Sequence, residues 1–209
     1  MTGAAGQPHP GTPSHPAVSG SSGKAGVDEL VTVATAEQMR TLGRRLSAVL
    51  RAGDLVVLSG PLGAGKTTLT QGIGAGLGVR GSVTSPTFVI ARVHPSLTSG
   101  PDLVHADAYR LGSRAEVDDL DLDRDLATAV TVVEWGEGLV EDLAPSFLSV
   151  GIRAEQAAVR EAEAENIEAE DIEAEDVDVR RSVRLQGWGD RWHGRAVAEE
   201  IRLALADLG

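Results

Sequence analysis

The chain has 209 residues, 19 basic and 31 acidic, giving a formal net charge of −12, and it contains no cysteine. That length supports one domain with extra segments and a core that needs no staples, while the missing cysteines exclude a disulfide scaffold, a thiolate zinc site and a cysteine nucleophile. No apolar run of about 18 residues is present, so no membrane-spanning helix is expected, and a pI near 4.8 argues against broad electrostatic capture of nucleic acid.

Residues 1 to about 27 are Gly, Pro, Ser and Ala with almost no large apolar side chains. This composition cannot offset chain entropy by burial and predicts a disordered tail. It has neither the basic start nor the apolar stretch of a secretory signal, so a cytoplasmic protein is expected. Residues 28–209 are read as one domain. It opens with a strand over Leu30–Val33, followed by Thr35-Ala36-Glu37-Gln38, which has the form of a capping box. Met39, Leu42, Leu46, Val49 and Leu50 then recur at helical spacing, with Gly53 closing the helix. Leu55-Val56-Val57-Leu58 is a continuous apolar run, the mark of a strand buried on both faces. A glycine-rich turn and a second helix to about Leu77 follow. Further strands are predicted at 88–93, 103–106, 130–133, 147–152 and 182–186. A helix is expected within 113–126, and a final one from about Trp192 to Leu208.

The acidity is concentrated in one place. Residues 155–178 hold 11 acids and one base, Arg160, for a net of −10, which leaves the rest near −2. This insert, at about 154–179, reads NIEAE-DIEAE-DVDV. Its period of five residues fits neither helix nor strand, so it is expected to be a solvated loop grown by repeat, or else an acidic arm for a partner. It joins two strands without a crossover helix, which predicts an antiparallel element in the sheet.

Lysine is nearly absent. Of 19 bases 17 are arginine, and the exceptions are Lys24, in the tail, and Lys66. Lys66 falls in Gly60-Pro61-Leu62-Gly63-Ala64-Gly65-Lys66-Thr67, a complete G-x-x-x-x-G-K-[ST] phosphate loop, entered from a buried-type strand and left through a helix. The glycines let backbone amides approach a phosphate, Lys66 brings a compact charge to the β- and γ-phosphates, and the Thr67 hydroxyl suits Mg²⁺. The start of the helix adds its positive dipole end. The fold class follows: an α/β, P-loop NTPase-type sheet, mostly parallel with some antiparallel strands and helices on both faces.

Two acids sit at the ends of apolar strands, Asp107 after Leu103-Val104-His105-Ala106 and Glu134 after Val130-Thr131-Val132-Val133. This is the Walker B arrangement, with the acid at the carboxyl edge of the sheet where ligands bind. The sole asparagine is Asn166, inside the insert, so no N-K-x-D guanine-reading motif exists. No protein-kinase H-R-D or D-F-G follows the loop. The five histidines, 9, 15, 94, 105 and 193, lack metal-ligand spacing, and His105 is read as a structural hydrogen-bonding residue.

Four segments then converge on one family: Leu62-Gly63-Ala64-Gly65-Lys66-Thr67-Thr68, Ser85-Pro86-Thr87-Phe88, His105-Ala106-Asp107-Ala108-Tyr109-Arg110 and Val133-Glu134-Trp135. In this order, over roughly residues 30–153, the chain resembles the bacterial TsaE (YjeE) family, the P-loop ATPase of tRNA threonylcarbamoyladenosine-37 synthesis. Pro61 and Ala108 depart from the family's usual residues, and the tail and insert are additions to it.

The resemblance implies that Gly60 and the run from Gly63 through Ala64, Gly65, Lys66 and Thr67 to Thr68 hold the phosphates of ATP. Thr67 and Glu134 would bind Mg²⁺. Asp107 would assist hydrolysis through the metal or the attacking water, and Thr87 would sense the γ-phosphate as a switch. The turn from Ala34 to Ala36 would lie near the base. Arg180 or Arg181 would approach the nucleotide, and Trp135 would pack by the site, against a partner, or in the core. The implied function is a weak Mg²⁺-dependent ATPase acting as a switch or reset subunit, with TsaD and TsaB as partners and tRNA held by those partners. Two other readings stay open: a small-molecule kinase built on the same loop, and a nucleotide-binding scaffold without turnover.

Overall fold

In strand β2 (Leu55–Ser59) successive side chains enter two different cores: Val56 and Leu58 join one apolar cluster, Leu55 and Val57 the other. Period-two alternation on a strand apolar at every position has this consequence, and it makes β2 the centre of the fold. A computed structural model describes residues 25–86, 91–109, 111, 116–117, 126–154 and 180–206.

The other strands are β1 (Val27–Val33), β3 (Ala91–His94), β4 (Asp102–Asp107), β5 (Ala129–Glu134), β6 (Phe147–Ala154) and β7 (Arg181–Trp188). They form one sheet in the order β1-β7-β6-β2-β5-β4-β3. The central block β6-β2-β5-β4 is parallel, while β7 and β3 run against their neighbours. The antiparallel element expected beside the acidic insert is the β6–β7 pair, with Ala154 opposite Arg181.

Helices α1 (Ala36–Leu46), α2 (Lys66–Leu77) and α3 (Arg195–Leu205) contribute Met39, Leu42, Ile73 and Ile201 to the same cluster as Val56 and Leu58. On the opposite face Val117, in a helical segment, and Leu126 pack with Leu55, Val57 and Val133, beside the stretch that carries Val140.

The capping box at α1 is present: the Gln38 amide donates to Thr35 Oγ1 at 3.1 Å, and Gln38 Oε1 accepts from the Thr35 amide at 3.1 Å. The helix, however, does not run on to Gly53. It ends at Leu46, where the Ser47 hydroxyl donates to the Arg44 carbonyl at 2.7 Å and competes with the helical pattern. Gly53, at φ +92°, serves the turn into β2 instead. The last helix also begins later than its apolar spacing implied. Trp192 lies in a 3₁₀ turn, Asp190–Trp192, and Gly194 at φ +119° separates that turn from α3. Arg191 anchors the turn through a paired contact with buried Asp54, Nε to Oδ1 at 3.0 Å and a terminal nitrogen to Oδ2 at 3.1 Å. Strand β1 starts at Val27, already buried, and of the strand predicted at 88–93 residues 91–93 lie in β3 while 88–90 are outside the described residues. Residues 1–24, the insert over 155–179 and most of 113–126 lie outside the described residues.

Candidate nucleotide site

The site lies where β2, β4 and β5 end. Because these strands are parallel and in register, their carboxyl ends come level: Leu58 pairs with Glu134, and Asp107 pairs with Glu134. Val130 and Val132 face α2, so Glu134, two residues on, projects to the same side. The parallel pairing therefore converts two distant apolar runs into one acidic edge beneath the start of α2.

The phosphate loop leaves β2 through Gly60. At φ +143° a Cβ on Gly60 would come within 2.4 Å of the Ile152 carbonyl, because β6 continues past the end of β2. Only glycine fits there. Gly63 and Gly65 take left-handed φ values of +74° and +106°. Gly65 is the N-cap of α2 and supplies no side-chain bond to it, so the first amides of the helix are left for a ligand. Ala64 is buried and Leu62 is exposed at the tip. Thr68 lies in the first turn of α2, half-buried.

The Thr67 hydroxyl lies 2.8 Å from Glu134 Oε1 and 3.1 Å from Oε2. Glu134 is buried, and its Oε1 also meets His105 Nε2 at 2.9 Å. Lys66 Nζ donates to the carbonyls of Gly60 at 2.8 Å and Pro61 at 3.0 Å, and sits 3.6 Å from the centre of the Trp135 ring. Burial pushes the Lys66 ammonium below its usual pKa, an effect that the nearby carboxylates of Glu134 and Asp107 oppose.

Asp107 bonds elsewhere. Its Oδ2 accepts from the Ser85 hydroxyl at 3.3 Å and its Oδ1 from the Tyr109 amide at 3.0 Å. Asp107 thus connects the acidic edge to the S-P-T-F loop, whose Thr87 lies outside the described residues. Trp135 has φ +60°, the one non-glycine residue with positive φ among those described. Its amide donates to the Leu58 carbonyl at 2.9 Å, and its ring lies 5.2 Å from that of Tyr109. Of the three placements open for Trp135, the structure shows the one beside the phosphate loop.

The turn at Ala34–Ala36 is at the same edge. Gln38 Oε1 holds the Ala34 amide at 2.6 Å, and Met39 comes within 3.3 Å of the Cβ that Gly65 lacks, so the start of α1 abuts the loop. Arg181 pairs with both Val33 and Ala154 and so stands at this edge, while Arg180 is the exposed residue before it. The contact of His105 with Glu134 was not visible in the sequence. Both residues lie on apolar strands, but only the β4–β5 register puts them side by side.

The donor set suits Mg²⁺, which takes one or two protein oxygens and completes its shell with water and phosphate. Thr67 and Glu134 offer a hydroxyl and a carboxylate in contact, level with the lysine. No cluster of three or more His, Asp or Glu capable of holding a metal by itself occurs among the described residues.

Comparison with known proteins points to one family. The family model for the threonylcarbamoyl adenosine biosynthesis protein TsaE matches residues 33–164, a span that contains every element of the site except Arg180 and Arg181. The tRNA threonylcarbamoyladenosine biosynthesis protein TsaE of Streptomyces coelicolor is 57% identical over 155 residues, covering 74% of this chain and 93% of its own. The protein of the same name from Mycobacterium tuberculosis H37Rv is 53% identical over 126 residues, 57% of this chain and 75% of its own. The crystal structure of Bacillus subtilis YdiB superposes with a TM-score of 0.59 at 26% identity, covering 84% of this chain and 95% of that one. With the matched segment enclosing the loop, both acids and Trp135, the chain belongs to the TsaE family.

Proposed function

We propose that the chain is a Mg²⁺-dependent ATPase that acts as a switch in the synthesis of threonylcarbamoyladenosine at position 37 of tRNA. Family membership supports the role in threonylcarbamoyladenosine biosynthesis. The observation that carries the ATPase reading is the contact of Thr67 with both oxygens of Glu134, in the first turn after a complete phosphate loop.

In this reading the amides of Gly63 to Thr68 surround the phosphates and Lys66 turns from the loop carbonyls toward them. Thr67 and Glu134 hold Mg²⁺. When bound, the metal neutralises charge between the phosphate oxygens. Asp107, whose oxygens face Ser85 and Tyr109 rather than Thr67, orients the attacking water. The adjoining loop with Thr87 responds to the γ-phosphate. The partners are TsaD and TsaB, and tRNA is gripped by them, consistent with a lysine-poor folded part near −3. Among the described residues no helix is long and apolar enough to cross a membrane.

The test is phosphate release from ATP, with and without purified TsaD and TsaB and with a panel of small acceptors. Glu134→Ala should keep measurable ATP binding and lose hydrolysis by roughly 100-fold or more, the equivalent of about 3 kcal/mol of transition-state stabilisation. Unchanged turnover in Glu134→Ala removes that residue from the machinery, and a phosphorylated acceptor overturns the switch in favour of a kinase.

A further inference from the structure

His105 occupies a position where an apolar side chain would be the cheaper choice. It lies mid-strand in β4 between Val104 and Ala106, is 0% exposed, and its Nδ1 has no partner among the described residues. A buried nitrogen left unpaired costs about 1–3 kcal/mol, whereas a leucine here would carry no such penalty. Its other nitrogen makes the one contact that offsets this cost, Nε2 to Glu134 Oε1 at 2.9 Å. Because a carboxylate only accepts, Nε2 carries the hydrogen.

The register accounts for that contact. His105 pairs with Val132 across β4–β5, so its side chain lies on the α2 side, one step short of Glu134 on the same face. The last torsion of a glutamate is broad and roughly two-fold, so one partner does not fix the plane of the carboxylate. Thr67 approaches from α2 and touches both oxygens; His105 approaches from β4 and touches Oε1 alone. If Thr67 gives up its bond to share an ion with Glu134, the His105 contact is the side-chain bond that remains among those described.

We infer that His105 is a positioning residue that orients the Glu134 carboxylate for the metal-dependent binding of nucleotide. The inference rests on the Mg²⁺–nucleotide reading of the site. Hydrogen-bond partners of this kind behind a metal-binding group are worth about 10–100-fold in affinity or activity.

The experiment measures ADP binding to the full chain by calorimetry, in EDTA and in excess Mg²⁺, and takes the ratio of the two affinities. In His105→Leu, affinity in EDTA should stay within about twofold of the unaltered chain while the Mg²⁺-dependent gain falls about 10–100-fold. His105→Gln, whose amide nitrogen can reach the place of Nε2, should recover most of that gain. An unchanged gain in His105→Leu overturns the inference, as does His105→Gln behaving like leucine. A long-range ¹H–¹⁵N spectrum of the unaltered chain gives an answer even where a variant fails to fold. His105 should show the Nε2–H tautomer, and the Nδ1–H tautomer would overturn the assignment. If the unaltered chain shows no Mg²⁺-dependent gain at all, the metal–nucleotide reading falls and the inference falls with it. A gain that is present but indifferent to His105 defeats the inference alone.

Discussion

Lys66 Nζ and the indole of Trp135 are stacked, 3.6 Å from nitrogen to ring centre. The ammonium is thus enclosed by an aromatic face and two loop carbonyls, and burial lowers its pKa from the ordinary 10.5. The fold holds this charge at a cost, and the cost has a definite pH dependence. Below the folded pKa both folded and unfolded chains are protonated and the penalty is complete. Between that pKa and 10.5 the unfolded chain keeps more protons, so stability rises with pH.

Replacing Lys66 by methionine should therefore leave the unliganded melting temperature at neutral pH equal to or above that of the unaltered chain. The Gly60 and Pro61 carbonyls lose a donor, but Pro61 is exposed and water can replace it. ATP binding should weaken by roughly 100-fold or more, since two charge-assisted bonds of about 1.5–3 kcal/mol each are lost. Thermal melts beside calorimetric titration check both halves, and a clear drop in melting temperature would show that the cation is part of what holds the loop together.

The sequence made the phosphate loop, the two acids and the buried strand β2 legible because each is a local pattern. A spacing of glycines, a lysine in a chain almost without lysine, and four apolar residues before an acid need no knowledge of the rest of the chain. What it could not show depends on register. Asp107 and Glu134 have the same local signature, yet only Glu134 meets Thr67, while Asp107 bonds Ser85 and Tyr109. The end of α1 was misplaced for a related reason. Val49 and Leu50 continue the helical spacing, but the chain has left the helix at Leu46, and both residues reach the core from a turn. Their apolar character reports burial, which both conformations satisfy.

Helices α1 and α2 cross with backbone against backbone. A Cβ on Gly72 would stand 2.2 Å from the Arg40 carbonyl oxygen, and one on Gly43 would stand 2.3 Å from that of Leu69. Helix propensity alone favours Gly72→Ala by about 1 kcal/mol. Overpacking opposes it by about 1–3 kcal/mol, and the upper end applies because the obstructing atom is backbone and cannot rotate away. The net expectation is a loss of about 2 kcal/mol, or roughly 4–8 °C in melting temperature for a domain of this size. Since Met39 of α1 lies 3.3 Å from where a Cβ on Gly65 would stand, forced separation of the helices should weaken nucleotide binding as well. A melt and a binding titration of Gly72→Ala settle this, and a variant as stable as the parent would mean that the crossing can relax.

The acidic insert leaves and re-enters the sheet at directly paired residues, Ala154 at the end of β6 and Arg181 at the start of β7. Strand ends so placed need only a two-residue Asn-Gly turn to be joined. Exchanging residues 155–179 for Asn-Gly, with Arg180 kept as the third loop residue, shortens the closed loop by between three and four doublings, each worth about 0.6 kcal/mol of closure entropy, so stability should rise by about 2 kcal/mol and the melting temperature by roughly 4–8 °C. The Thr67–Glu134–His105 cluster lies on β4, β5 and α2, none of which the exchange touches, so ADP affinity in Mg²⁺ should change by less than about twofold. A fall in melting temperature would assign the insert a packing role in the domain. A loss of affinity with the melt preserved would instead bring it to the nucleotide, which the position of Arg181 at the same sheet edge makes a measurable alternative.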